Sequence, residues 1–120
     1  MSTKLTLIHQ AKLDEAAKMA KILGNPSRMQ ILYILEQQTL NVTELSTALD
    51  IEQSQMSHTL KYLRDHQLIS QERRGKSIYY TLDDPHIMST MTQLLKHAEH
   101  VLANCDHTGA AVDHTVEVDL

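Results

Sequence analysis

Phenylalanine and tryptophan are absent from this 120-residue chain, and four tyrosines are its only large aromatic side chains. A core must then be built from Leu, Ile, Met, Val and Ala, which favours packed helices over a β-sandwich. The 42% apolar content suffices for one such core, and the length is that of a single domain. One cysteine, Cys105, excludes an internal disulfide and makes the cytoplasm the expected compartment. No apolar run approaches the roughly 18 residues of a membrane span, and the N-terminus has no signal-peptide pattern. Positive charge is also short. Eleven basic residues against 15 acidic ones leave a net charge of −4, which argues weakly against a polyanionic partner.

The distribution of charge reverses that argument. Between Ser54 and Lys76 stand Lys61, Arg64, Arg73, Arg74 and Lys76 against only Asp65 and Glu72, a local +3 on a body that is otherwise −7. A basic stripe on an acidic body suits a protein that touches phosphate with one face.

Helical spacing predicts a first helix over 5–23, carried by Leu13, Ala16, Ala17, Ala20 and Leu23 and ended by Gly24. Asn25-Pro26 caps a second helix over 26–37. A short third helix over 43–49 has Glu44 in its first turn, where the dipole favours a carboxylate. A fourth, over 54–66 and capped by Ser54, carries Met56, Leu60 and Leu63 as an inward stripe. That stripe leaves Gln55, Ser57, His58, Thr59 and Lys61 facing outward. Two short helices joined by a tight turn, the second exposing small polar residues, read as a helix-turn-helix. Residues 68–82 read as two strands turning at Arg74-Gly75, a hairpin that places Arg73, Arg74 and Lys76 at its tip. A hairpin in this position is a wing, so the expected fold is a mainly α winged helix-turn-helix of about five helices, occupying 1–104. From Cys105 the pattern fades into a loose acidic tail, 105–120, with His107 and His114.

The last helix, over 85–104, carries with the Asp before it the most specific constellation in the chain: Asp84, His86, His97 and His100. Asp84 before Pro85 is a good helix cap in its own right. Three imidazoles and a carboxylate are also a suitable zinc ligand set. His97 and His100 share a helix face, and His86 returns to within about 20° of it, but about 16 Å away along the axis. One helix therefore cannot bring all four to one ion. Two antiparallel copies can, pairing Asp84 and His86 of one with His97 and His100 of the other and giving two sites per two-fold dimer.

The sequence resembles the ArsR/SmtB family of bacterial metal-responsive repressors over roughly residues 10–103. The resemblance rests on Leu23-Gly24-Asn25-Pro26-Ser27-Arg28-Met29-Gln30-Ile31-Leu32, on Thr43-Glu44-Leu45, on Gln53-Ser54-Gln55-Met56-Ser57-His58-Thr59-Leu60-Lys61-Tyr62-Leu63, and on Arg74-Gly75-Lys76-Ser77-Ile78-Tyr79-Tyr80-Thr81-Leu82. The family's cysteine-based site on the third helix has no counterpart in 44–50, which contains no cysteine. The family's other site, Asp-x-His followed by His-x-x-His on the terminal helices, matches Asp84, His86, His97 and His100, as in zinc and cobalt sensors of the CzrA kind.

The resemblance implies an apo homodimer bound to a palindromic operator and released by Zn(II), or by Co(II), with metal-efflux genes as the target. DNA contacts are expected from Ser54, Gln55, Ser57, His58 and Lys61 in the major groove, with Gln55 and His58 as base readers, and from Arg73, Arg74 and Lys76 on flanking backbone. It further implies that His97 uses its second ring nitrogen on a backbone carbonyl around 66–68. Two alternatives stay open: a Ni(II) or Co(II) sensor that recruits His107 and His114, and a metal-blind winged-helix regulator controlled by redox, through Cys105 oxidation, or by a protein partner. An enzyme is not expected. A hydrolytic zinc needs an open coordination position, which four protein ligands fill, and no nucleophile motif is present.

Overall fold

The computed structural model describes residues 4–105 and 116–120. Its elements run α1 (Gln10–Leu23), α2 (Pro26–Gln37), β1 (Leu40–Asn41), α3 (Val42–Leu49), α4 (Gln53–Asp65), β2 (Ile69–Arg74), β3 (Ser77–Leu82) and α5 (Pro85–Cys105). The expected fold class, five helices and a hairpin, is the observed one.

Helix α1 starts later than its spacing predicts. His9 is its N-cap, with Nδ1 accepting the Ala11 N–H at 3.3 Å. Residues 4–9 are not helical and leave Leu5, Leu7 and Ile8 exposed. The β-branched Thr6 and Ile8 disfavour helix, and an apolar pattern makes a helix only where something covers it. At the other end Gly24 donates its N–H to the Ala20 carbonyl at 2.9 Å, and a Cβ on Gly24 would lie 3.3 Å from that oxygen. Helix α2 begins as its sequence dictates: Asn25 Oδ1 accepts the Arg28 N–H at 3.0 Å and Pro26 takes the first helical position.

A two-residue strand, β1, was not expected. Leu40 pairs with Tyr80 and Asn41 with Tyr79, so the sheet has the order β1-β3-β2 and β3 is central. Asn41 also opens α3 through a reciprocal capping box: its Oδ1 accepts the Glu44 N–H at 2.8 Å and Glu44 Oε1 accepts the Asn41 N–H at 3.0 Å. The hairpin β2–β3 aligns Arg74 with Ser77, placing the two-residue turn at Gly75-Lys76, one residue later than predicted. Gly75 has φ 63°, the positive value that the first position of a type II′ turn requires.

The core joins Ile22, Ile31, Leu32, Leu45, Met56, Leu60 and Leu63 to the first half of α5 through Ile87 and Met91. Helix α4 leaves this core through a Schellman ending. Gln67 adopts φ 62°, its N–H reaches the Arg64 carbonyl at 2.9 Å, and the Leu68 N–H reaches the Leu63 carbonyl at 3.1 Å.

Candidate DNA-binding face and metal-ligand set

Met56, Leu60 and Leu63 anchor α4 in the core with no solvent exposure. Helical geometry then turns Ser54, Gln55, Ser57, His58 and Lys61 outward, and all five are exposed. Ser54 is not the cap expected of it. Glu52 holds that position without a side-chain capping bond, and the Ser54 hydroxyl instead donates to Glu52 Oε1 at 3.0 Å. Thr59 is turned back on the helix, its hydroxyl donating to the Gln55 carbonyl at 3.0 Å. The start of α4 is tied to α3 by Gln53 Nε2, which donates to Thr43 Oγ1 at 3.3 Å.

Arg73, Arg74 and Lys76 are exposed at the tip of the hairpin. Arg73 Nε donates to the Gly75 carbonyl at 3.3 Å, and Arg74 Nη2 to Glu72 Oε2 at 3.3 Å. On the other side of α4, Arg28 of α2 lies 4.0 Å from the centre of the Tyr62 ring. The His66 ring is 4.3 Å from Tyr62, and its Nδ1 is 2.8 Å from the Tyr62 carbonyl. A carbonyl only accepts, so the proton is on Nδ1. This stack fixes the C-terminal end of α4 against α2. Tyr62 and His66 are four residues apart on one helix, but Arg28 is 34 residues from Tyr62, and no local pattern brings it there.

Asp84 is half-buried and caps α5, its Oδ1 accepting the His86 N–H at 2.9 Å. It borders two clefts at the end of α4. One, of about 510 Å³, is shared with Arg64, Gln67 and Asp83; the other, of about 420 Å³, with Lys18, Asp65 and His66. His86, His97 and His100 are exposed on α5. Within one chain the described residues bring together no cluster of three or more His, Cys, Asp or Glu side chains. His86 and His97 stand about 16 Å apart along the helix. Helix α5 extends one residue beyond the expected end, to Cys105, while His107 and His114 lie outside the described residues.

A helical pair, α3 and α4, with a charged hairpin against its second helix is the winged helix-turn-helix of DNA-binding regulators. Comparison with known proteins gives the class a family. Residues 25–71 match the model of the bacterial regulatory protein, arsR family. The regulator NmtR of Mycobacterium tuberculosis is 38% identical, over 72% of this chain and 72% of its own. The crystal structure of the antimony-specific repressor AntR superposes with a TM-score of 0.74 at 27% identity, covering 82% of this chain and 89% of that one. The homodimeric winged helix-turn-helix DNA-binding domain of Mb0332 from Mycobacterium bovis gives 0.70 at 28% identity, covering 81% and 89%. The chain belongs to the ArsR/SmtB family of transcriptional regulators. It is a DNA-binding regulator and not an enzyme.

Proposed function

We propose that this chain is a zinc-responsive repressor. As an apo homodimer it holds a two-fold operator, and Zn(II) binding between the two copies of α5 releases it. The observation that carries this reading is the layout of α5. Its first half is packed into its own core through Ile87 and Met91, whereas Leu94, Val101 and Leu102 remain 44–48% exposed. An apolar stripe of this kind fits a second copy of the same helix. Two copies running antiparallel bring Asp84 and His86 of one to His97 and His100 of the other.

The residues suit the ion. Three imidazoles and a carboxylate are borderline donors, and four of them complete a tetrahedron. Bound there, the ion would supply a cross-link between the two helices and no hydrolytic chemistry. Asp84 already spends Oδ1 on the His86 N–H, which orients the carboxylate and leaves Oδ2 to ligate. His97 would bind through one ring nitrogen and donate from the other to a backbone carbonyl at the end of α4. The Leu68 carbonyl already receives the Asp83 N–H at 2.9 Å, so His66 and Gln67 are the acceptors of choice. That bond ties ligation to the orientation of α4 and the wing. Zinc and operator then weaken each other equally, as linkage requires. The antimony specificity of AntR supports metal responsiveness in general, and the homodimeric state of the Mb0332 domain supports the dimer. Control of metal-efflux genes is part of the same proposal.

The test is fluorescence anisotropy on an operator obtained by selection, titrated with Zn(II), Co(II) and Ni(II). Release by zinc near one ion per chain is expected. The His97→Asn variant should bind the operator as apo protein and lose the zinc response by a factor of about ten or more. Release of that variant by zinc would refute the assigned ligands. Preferential release by nickel would move the assignment to the histidines at 107 and 114, and no release by any metal would leave a metal-blind regulator.

A further inference from the structure

Two of the three ion pairs among the described residues lie on the DNA-reading elements. Lys61 Nζ is 3.2 Å from Asp65 Oδ2 on α4, and Arg74 Nη2 is 3.3 Å from Glu72 Oε2 on β2. Asp65 and Glu72 are also the only acids between Ser54 and Lys76. Every carboxylate on the basic stripe is therefore bound to one of its cations. Arg74 is held from a second side as well. Its guanidinium lies 5.1 Å from the centre of the Tyr79 ring, and Tyr79 stands directly opposite Glu72 across the hairpin. Glu72 and Tyr79 together lay Arg74 along the wing instead of outward from it.

Fold stability does not explain these acids. Asp65 is the last residue of α4, where the negative end of the helix opposes a carboxylate. A Lys placed N-terminal to its acid is the weaker of the two i,i+4 orientations. All four side chains of the two pairs are more than half exposed, a setting in which ion pairs stabilise little. Glu52, which accepts from Ser54, is different. It precedes α4, where the dipole favours a carboxylate, and needs no further role.

We infer that Asp65 and Glu72 compete internally with DNA phosphate for Lys61 and Arg74, and so lower the chain's affinity for any duplex. In the free protein they occupy Lys61 and Arg74, so any duplex must first break two intramolecular pairs to gain those cations. Random DNA offers little beyond phosphate and is held off. Operator DNA adds base contacts from the same helix that offset the loss. The inference rests on the DNA-binding reading of α4 and the wing.

The test compares the wild-type chain, Asp65→Asn, Glu72→Gln and the double variant on the selected operator and on a random duplex of equal length, across a series of NaCl concentrations. Glu15→Gln serves as the control. It removes the acid paired with Lys18 at 3.1 Å on α1, with the same change in net charge. The double variant should bind both duplexes tighter by a similar factor, about threefold to tenfold, because either complex is relieved of breaking the same two pairs. Its salt dependence should stay near that of wild type, since the same cations meet phosphate once bound, and Glu15→Gln should leave both affinities unchanged. Thermal melting of Asp65→Asn should match or exceed wild type, which separates the effect from a structural one. Equal tightening in Glu15→Gln, or a double variant with wild-type affinity for both duplexes, would overturn the inference alone. A wild-type chain that binds neither duplex would overturn the DNA-binding reading, and this inference with it.

Discussion

Ser46 is a buried polar side chain, 8% exposed, whose hydroxyl finds no hydrogen-bond partner. An unpaired hydroxyl in such a place costs about 1–3 kcal/mol. Ser46→Ala removes the unpaired group without enlarging the side chain. It should raise stability by about 1 kcal/mol in urea titration, and a loss of more than that would mean the hydroxyl is paired after all. Gln67 offers a second case. Its φ of 62° is a left-handed value that glycine adopts freely and glutamine does not. Gln67→Gly should stabilise the chain by about 0.5–1 kcal/mol, the relief of strain being partly offset by the greater freedom of glycine when unfolded. Neither position is legible from local pattern. Ser46 sits in the apolar stretch of α3 like any helical serine. Gln67 is left-handed only because Leu68 must turn inward, 1% exposed, to bring β2 against α4.

Among the elements, those with a local chemical signal were readable and those without one were not. Asn25-Pro26 announces α2, and the alternation of Ile78, Tyr80 and Leu82 follows β3. Asn41-Val42-Thr43-Glu44 also carried a capping-box signal, although only the dipole role of Glu44 was read from it. Asn41→Ala should therefore cost about 1 kcal/mol, measured as a lowered midpoint in thermal or urea unfolding. Strand β1 has two residues and exists because Tyr79 and Tyr80 offer it a ladder, which no window of sequence contains. Helix α1 errs in the opposite direction, since Leu5, Leu7 and Ile8 extend an apolar pattern that nothing among the described residues covers. The Ser54 cap failed because the chain enters α4 one residue earlier, at Gln53.

For the whole molecule, the radius of gyration is 17.9 Å, against about 14 Å for a compact chain of this length. Helix α5, about 31 Å long by its 21 residues, accounts for part of the excess because its second half runs past the core. In the proposed dimer a second copy would cover that half. Replacing both Val101 and Leu102 with Lys should convert a dimer to monomer in sedimentation, with helical content retained in far-UV circular dichroism. Operator affinity should fall at least about tenfold, because two half-sites are then no longer read together. A variant that stays dimeric would place the interface elsewhere.

The sequence by itself determined the class of fold, the identity of the outward residues on α4 and the positions of Asp84, His86, His97 and His100. Each of these follows from short-range rules: a period of 3.6 residues, a cap, a turn, a spacing along one helix. Tertiary structure decided that Arg28 of α2 meets Tyr62 of α4, that Arg74 of β2 lies beside Tyr79 of β3, and that Asp84 borders the clefts where α4 ends. Those facts depend on side chains from different elements meeting in space. Packing sets those meetings, and no local pattern in the chain records them.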